Sequence, residues 1–234
     1  MIRYDNMVPG VFLRRPNRFI AHVAIGGKEE VCHVKNTGRC RELLVPGAAV
    51  WCQTHDDPAR KTKFSVIAVM KGSRCINMDS QVPNRVAAEW ILSGGLGFVP
   101  SVLQAEKTWG GSRFDFYLET DDGRQGFVEV KGVTLEREGR AFFPDAPTER
   151  GTRHLQELTA AAAQGLLAFV VFVVKMEKIL SLSPNDETDP AFGAALRQAA
   201  ESGVSIHAIG CRVTPETIEP AAPIRVELEM NNQE

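Results

Sequence analysis

The sequence predicts an α/β protein, of the α+β kind, in which a small N-terminal β-barrel precedes a mixed-sheet α/β domain. Up to residue 80 there are short strand-like segments and no helix-length pattern, whereas helical and strand patterns alternate after Pro83. The charge changes at the same place: residues 1–80 hold 13 Lys+Arg against 7 Asp+Glu, and residues 81–234 hold 14 against 22. We therefore expect a basic domain over residues 1–80 and an acidic domain over residues 81–234.

Five short β segments are expected in the first domain. They cover residues 10–25, 30–35, 48–53, 64–70 and 75–78. Gly26-Gly27 and Pro46-Gly47 are among the turn residues between them. Five short strands in this length are typical of a small barrel of the OB type or of a small sandwich. We favour the OB-like barrel, because its open face and a net charge of +6 suit a nucleic-acid backbone.

The second domain should combine helices with a mixed sheet. Helices are expected at residues 85–92, 149–163 and 190–202, and strands at residues 104–109, 113–119, 126–134, 166–175 and 204–213. The turn Asp121-Asp122-Gly123 joins two of these strands into a predicted hairpin.

This hairpin carries two carboxylates and an amine. Asp115 lies on its first strand, and Glu129 and Lys131 lie on its second. Because side chains alternate between the faces of a strand, Glu129 and Lys131 share one face. Mg²⁺ and Mn²⁺ prefer oxygen ligands, so Asp115, Glu129 and the carbonyl of Val130 are predicted to bind one of these ions. Lys131 is expected to orient an attacking water or to stabilise charge on a phosphate.

Two further carboxylates are candidates for the same site. Glu89 lies on the predicted helix 85–92, and Glu106 precedes the hairpin. The alternative for the whole cluster is a solvated surface, because a spacing of the Asp-x₁₃-Glu-x-Lys kind arises by chance in many sequences. The apolar neighbours Phe114 and Val128 favour interior strands whose polar face opens into a cleft.

Cationic and polar side chains also cluster at predicted turns of the first domain. We expect them to bind nucleic-acid phosphates, although arginine-rich loops often serve only solubility. These residues are Arg14, Arg15, Arg18, Lys35, Asn36, Arg39 and Arg41.

A second cationic cluster begins the predicted helix 149–163. Thr148 can cap this helix, whose N-terminus attracts phosphate. Arg150, Arg153 and His154 lie in its first turns and are predicted to bind the nucleic-acid backbone. The alternative is a capped helix with surface arginines and a structural histidine.

A cytoplasmic location and no membrane association are expected. The longest apolar run, residues 166–174, has the length of a strand and not that of a transmembrane helix. The five cysteines are scattered, without a C-x-x-C pair, and are expected to be reduced thiols. DNA is the expected partner, RNA is a second candidate, and a homodimer is left open.

Several motifs resemble those of the sugar fermentation stimulation protein A family of bacteria and archaea, over essentially the full length of the chain. They are Asn36-Thr37-Gly38, Pro46-Gly47, Asn84-Arg85, Arg113-Phe114-Asp115-Phe116, Glu129-Val130-Lys131-Gly132-Val133-Thr134, and Phe143-Pro144-Asp145-Ala146-Pro147-Thr148-Glu149-Arg150-Gly151 followed by His154-Leu155.

The resemblance implies an OB-like first domain, a second domain like the PD-(D/E)XK nucleases, and sequence-independent DNA binding. It places Asp115, Glu129 and Lys131 on the nuclease motif, and Glu89 where many such nucleases have a helical glutamate. Phe114 replaces the proline of the generic motif. The resemblance also implies a regulatory link to sugar utilisation, maltose included.

Two functions compete at this point. The first is a metal-dependent nuclease that hydrolyses phosphodiester bonds, and the second is a non-catalytic DNA-binding regulator. Two carboxylates facing a phosphate backbone favour the nuclease, because uncompensated negative charge weakens DNA binding. A small-molecule phosphohydrolase is a third class, but it leaves the basic first domain unexplained.

Overall fold

A computed structural model describes residues 1–36 and 38–229. Thr37, in the motif Asn36-Thr37-Gly38, and residues 230–234, at the end of the expected second domain, lie outside the described residues.

The N-terminal part is a closed barrel. The first seven strands of the chain are β1 (Ile2–Arg3), β2 (Met7–Arg14), β3 (Ile20–Ile25), β4 (Lys28–Val34), β5 (Ala49–Thr54), β6 (Phe64–Lys71) and β7 (Arg74–Asn77). Six of them form a sheet in the order β4-β3-β2-β5-β6-β7, and β4 also pairs with β6, which closes β2 to β6 into a five-stranded barrel. Phe12, Val23, Val50 and Val66 are buried inside it. The expected OB-like barrel is therefore confirmed.

One expected segment of the barrel, residues 10–25, is in fact two strands. The side chain of Asn17 accepts hydrogen bonds from the backbone N–H groups of Phe19 and Ile20, at 2.9 and 3.0 Å. This local turn reverses the chain between β2 and β3, which pair antiparallel. The prediction of one continuous segment was wrong, because an asparagine turn can interrupt a strand without a glycine.

The C-terminal part alternates helices and strands. Its elements are α1 (Val82–Leu92), β8 (Val102–Trp109), β9 (Ser112–Glu119), β10 (Gln125–Val133), β11 (Leu135–Arg137), β12 (Arg140–Phe143), α2 (Glu149–Ala163), β13 (Leu167–Val174), β14 (Ser181–Pro184), α3 (Pro190–Glu201), β15 (Ser205–Val213), β16 (Thr217–Pro223) and β17 (Arg225–Val226). The main sheet has the order β1-β16-β15-β13-β10-β9-β8, and a smaller sheet has the order β11-β12-β14-β17. The expected mixed-sheet α/β domain is therefore confirmed.

Two apolar layers cover the main sheet. Val128, Val130 and Val171 pack with α1 on one face, whereas Phe127 and Phe172 pack with α2 and α3 on the other. In β13 every residue after Leu167 is buried, because the strand is covered on both faces.

The strand β1 does not belong to the barrel. Ile2 and Arg3 pair with Ile218 and Thr217 of β16 in the main sheet. A two-residue strand gives no periodic pattern. The sequence therefore does not predict that β1 leaves the domain expected over residues 1–80 and joins the sheet of the other. The division at residue 80 otherwise stays a prediction.

Polar contacts join the two parts. Glu136 on β11 is 4% exposed and lies 2.8 Å from both Lys71 and Arg74 of the barrel strands. Lys175, which follows β13, is 1% exposed and donates to the backbone carbonyl of Asp79 at 2.9 Å. Each buried charge therefore has a partner from the other side of the junction.

Among the described helices, none combines the length and the apolar composition that crossing a membrane requires.

Candidate active site

Asp115 lies at the point where two neighbouring strands separate. The pairing of β9 with β10 runs from Glu119 opposite Gln125 to Phe116 opposite Val128 and ends there. One residue further on, the Asp115 carboxylate takes the place of a backbone partner and accepts a hydrogen bond from the Val130 N–H at 2.8 Å. The gap between the strands is therefore lined by a carboxylate.

The helix α1 supplies a second contact to this carboxylate. Pro83 lies in the first turn of α1, and the next residue, Asn84, donates from its side-chain amide to Asp115 at 2.8 Å. Burial raises the pKa of Asp115, and the nearby negative charge of Glu129 raises it further. Two like charges are thus held together, and the Lys131 ammonium offsets their repulsion only in part.

Glu129 is buried, at 4% exposure. One of its carboxylate oxygens, Oε1, lies 2.6 Å from the Lys131 ammonium and 2.6 Å from Nδ1 of His154. Burial by itself raises the pKa of Glu129, but the contacts with His154 and Lys131 outweigh it and lower that pKa below its usual value. Glu129 is therefore held in its charged form.

His154 is positioned by the start of α2. The Thr148 side chain caps this helix by accepting from the Gly151 N–H at 3.0 Å. Arg150, one turn before His154, donates to its Nε2 at 3.3 Å. Because Nε2 accepts, the neutral ring carries its proton on Nδ1, the nitrogen that faces Glu129.

The expected role of His154 as a nucleic-acid contact changes with this geometry. Its side chain is 3% exposed and lies behind Glu129, out of reach of a backbone in the cleft. Arg150 and Arg153 are exposed on the same helix, and they keep their predicted role as phosphate contacts. The sequence showed a histidine in the first turns of a helix but not the carboxylate that it faces.

The two additional carboxylates lie elsewhere. Glu89 pairs with the N-terminal ammonium of Met1 at 2.8 Å, and Glu106 pairs with Arg113 at 3.4 Å, both in exposed positions. Neither contacts Asp115 or Glu129 within the part of the chain that the structure describes. The α1 residue that reaches the site is Asn84, which belongs to the motif Asn84-Arg85 but for which no role was predicted.

The oxygen atoms of this site suit a hard divalent cation. Oε2 of Glu129 is buried and has no hydrogen-bond partner among the described residues. The N–H and C=O of one residue in an extended strand face the same neighbour, so the Val130 carbonyl faces the gap that holds Asp115. Within residues 1–36 and 38–229, no three His, Cys, Asp or Glu side chains are grouped so that they could hold a metal ion. The candidate ligands are therefore two carboxylates, of Asp115 and Glu129, and the carbonyl of Val130. Mg²⁺ commonly binds to such partial sets and completes its shell with water or phosphate.

A large cavity lies beside the barrel, and neither Asp115 nor Glu129 is part of its wall. It has a volume of 730 Å³, and we call it the basic groove after the arginines in its wall. These arginines are Arg14, Arg15, Arg18, Arg39 and Arg41.

The predicted phosphate-binding residues of the barrel fall into two groups. Arg15 donates to the backbone carbonyls of Arg18, Asn36, Gly38 and Arg39, at 2.7, 2.9, 3.2 and 2.7 Å respectively. It therefore ties two loops together and has few donors left for a ligand. Arg18 and Arg39 are exposed, and with the described residues their side chains form no ion pair.

The remaining members of the predicted set have partners of their own. Arg41 is exposed like Arg18 and Arg39. Arg14 pairs with Glu29, and Lys35 lies 3.4 Å from Asp79, outside the basic groove. The Asn36 side chain accepts from the Gly38 N–H at 2.8 Å and shapes the loop. Three arginines of this set are thus left to face a ligand in the groove.

Two family models match the chain. The model described as "SfsA N-terminal OB domain" matches residues 13–78, and the one described as "Sugar fermentation stimulation protein RE domain" matches residues 81–217. A sugar fermentation stimulation protein homolog of Desulfitobacterium hafniense (strain Y51) is 56% identical over 227 residues, which cover 97% of this chain and 99% of that protein. A homolog of Clostridium beijerinckii is 53% identical over 217 residues, which cover 93% and 96% of the two chains.

One solved structure is similar over nearly its whole length. It is the structure of Pyrococcus furiosus SfsA in complex with Ca²⁺, with a TM-score of 0.87, 29% sequence identity, and coverage of 97% of this chain and 98% of that chain. The match extends through both the barrel and the mixed-sheet domain. The chain belongs to the sugar fermentation stimulation protein (SfsA) family.

Proposed function

We propose that this protein binds DNA without sequence preference and hydrolyses phosphodiester bonds with the help of Mg²⁺ or Mn²⁺ at Asp115, Glu129 and Val130. The observation that carries the proposal is the pair of buried carboxylates at the separation of β9 and β10, with the unpartnered Oε2 of Glu129. Burying two like charges is costly, and a bound cation removes the cost. The Ca²⁺ complex of Pyrococcus furiosus SfsA supports a divalent ion in this family.

The protein's own groups supply the rest of the chemistry. Asn84 and the Val130 N–H fix the Asp115 carboxylate, and His154 fixes that of Glu129. Lys131, whose ammonium lies beside Glu129, can donate to the attacking water or to a phosphate oxygen. A bound divalent cation supplies a water of lowered pKa and neutralises charge on the phosphate.

The basic groove supplies the affinity. Exposed Arg18, Arg39 and Arg41 attract a phosphate backbone without reading its sequence. Arg150 and Arg153 extend this positive surface to the start of α2, next to the carboxylates. A strand bound in the groove is thereby brought near the site.

The second candidate function is a non-catalytic DNA-binding regulator linked to sugar (maltose) metabolism. The observation in its favour is the basic groove, which can bind DNA whether or not the carboxylates act. The family name points the same way. This function gives no reason for two carboxylates that lie together where β9 and β10 separate.

A cleavage assay separates the two. End-labelled single-stranded DNA, duplex DNA and RNA are incubated with the protein in Mg²⁺, Mn²⁺ or EDTA. We expect cleavage of DNA with either metal and none in EDTA, and its loss in Glu129→Gln but not in the exposed control Glu216→Gln. If every nucleic acid stays intact under all conditions while the protein still binds DNA, the nuclease proposal fails and the regulator is the better account.

A further inference from the structure

A smaller pocket lies between the barrel and the C-terminal domain. It has a volume of 320 Å³ and shares Arg18, Gly38, Ala146 and Pro147 with the basic groove, so the two cavities are neighbours. We call it the interdomain pocket. Its volume suits one small organic group and is too small for a base pair with its backbone.

The interdomain pocket also borders the active site on three sides. Pro83 in its wall precedes Asn84, and Gly132 in its wall follows Lys131. Thr148, the cap of the helix that carries His154, forms a third part of the wall. A side chain at position 132 would meet Pro83, since a Cβ there would lie 2.7 Å from its Cγ. The pocket wall is therefore built from residues next in sequence to those of the active site, and a strand bound at the carboxylates can reach it.

Lys175 is a buried cation in the pocket wall. Its ammonium has three donors, and among the described residues it makes one side-chain hydrogen bond, to the Asp79 carbonyl. Burial lowers the pKa of Lys175 to about 8. The proposed chemistry at the carboxylates leaves this ammonium unused.

The polar groups of the pocket are mixed in kind. Lys175 and Thr134 are donors, and Asp145 is an acceptor. Asp145 packs closely against Gly38, because a Cβ at position 38 would lie 2.2 Å from its carboxylate oxygen. Phe142, Phe143, Pro144 and Pro147 add apolar wall. This mixture of donors, acceptors and apolar wall matches a nucleobase, whose edge carries both donors and acceptors and whose faces are apolar.

We propose that the interdomain pocket receives one unpaired nucleobase of the strand bound at the active site, so that the protein prefers DNA with unpaired nucleotides to continuous duplex. This inference rests on the proposed function, since the strand must lie across the carboxylates. A paired base cannot enter, because its edge is occupied by its partner.

Binding in EDTA tests the pocket apart from catalysis. Fluorescence anisotropy compares a labelled single strand, the same sequence as a blunt duplex, and that duplex with one unpaired nucleotide. We expect the wild type to bind the two substrates with unpaired nucleotides about tenfold more tightly than blunt duplex, in the range of one base held by stacking and hydrogen bonds. Equal affinity for blunt duplex and single strand would overturn the proposal.

Two variants address the pocket itself. Lys175→Met removes the ammonium, and Ala146→Trp fills the cavity from a surface loop. Both should abolish most of the preference for unpaired nucleotides, whereas Ala146→Ser should keep it. If circular dichroism shows that Lys175→Met is unfolded, Ala146→Trp decides alone. A preference that survives in the folded pocket variants would also overturn the proposal.

A competition experiment tests whether the pocket binds a base of a nucleic-acid strand or a free nucleotide. Thymidine monophosphate, a free nucleotide with the same chemistry, should displace the single strand only weakly, because it lacks the neighbouring phosphates that the groove binds. Strong displacement by the free nucleotide would assign the pocket to a small ligand and overturn the proposal. If the metal-dependent enzyme cleaves blunt duplex as fast as the duplex with one unpaired nucleotide, the pocket's role would likewise be overturned but the proposed nuclease would stand.

Discussion

The basic groove of the barrel and the carboxylate site of the C-terminal domain differ in how their charges are held. In the groove, Arg18, Arg39 and Arg41 are exposed on loops and make no ion pairs with the described residues. In the site, Glu129 is 4% exposed, and the Lys131 ammonium and the His154 ring each lie 2.6 Å from its carboxylate. Long-range attraction to a polyanion tolerates loose geometry, whereas chemistry at one phosphate does not. Mutations in the two regions should therefore change different quantities.

The largest effect is expected from removing a carboxylate charge. Asp115→Asn and Glu129→Gln should lower metal-dependent cleavage by about three orders of magnitude or more, because each removes a proposed ligand of the ion. Gel analysis of labelled DNA in Mn²⁺ measures the rate, with the exposed Asp121→Asn and Glu216→Gln as matched controls. Full activity in either carboxylate variant would place the chemistry elsewhere.

Lys131→Met should separate rate from ion binding. The substitution leaves both carboxylates in place, so calorimetry should still detect the divalent ion while turnover falls by about two to four orders of magnitude. Loss of ion binding together with turnover would mean that Lys131 only maintains the shape of the site.

His154 is expected to act through Glu129. His154→Ala should weaken divalent-ion affinity by about 10- to 100-fold, the range found when a partner of a metal ligand is lost. His154→Gln, which restores an N–H donor toward Glu129, should recover part of that affinity. The measurement is the ion affinity by calorimetry, with DNA binding in EDTA as the control. Unchanged ion affinity in His154→Ala would make the 2.6 Å contact incidental.

The groove arginines should change affinity and its dependence on salt. Replacing Arg18, Arg39 and Arg41 together with alanine should lower the log-log salt slope of duplex binding by about 0.9 for each lost phosphate contact. Titrations at several salt concentrations give the slope. An unaltered slope would move the DNA surface away from the barrel.

Replacing Arg15 should have the smallest effect on DNA binding but a clear effect on the stability of the fold. Its four carbonyl contacts tie the loops together, so Arg15→Ala should lower the free energy of unfolding by about 1–3 kcal/mol, because it removes four hydrogen bonds from a charged donor, two of them part-buried. Arg14→Ala, at an exposed ion pair, should change it by less than about 1 kcal/mol. Urea unfolding compares the two, and equal effects would contradict the structural role of Arg15.

The parts predicted well from the sequence have strong local patterns. The hairpin of β9 and β10 and the helix α2 follow directly from alternation, turn residues and a Thr148 cap. The strands β11, β14 and β17 have two to four residues each and carry no usable period. Their pairing depends on tertiary contacts, which a sequence pattern cannot express.

The site shows the same limit. That Asp115, Glu129 and Lys131 share one region could be predicted, because strand alternation fixes their faces. Asn84 and His154 were missed or given another role, because each reaches the site from a helix distant in sequence. Glu89, in contrast, was predicted to reach the site from the expected helix, but it pairs with the N-terminus instead.

The central claim is that Asp115 and Glu129 form a divalent-ion site whose like charges are unfavourable without the ion. The raised pKa of Asp115 means that its contribution to stability is lost as the pH rises through that pKa, so at pH 7 the ionised group should destabilise the metal-free protein. Thermal unfolding of wild type and Asp115→Asn, each in EDTA and in Mn²⁺, tests this directly. We predict that in EDTA Asp115→Asn unfolds at a higher temperature than wild type, and that Mn²⁺ raises the unfolding temperature of wild type alone. Equal stabilisation of both proteins by Mn²⁺ would contradict the account.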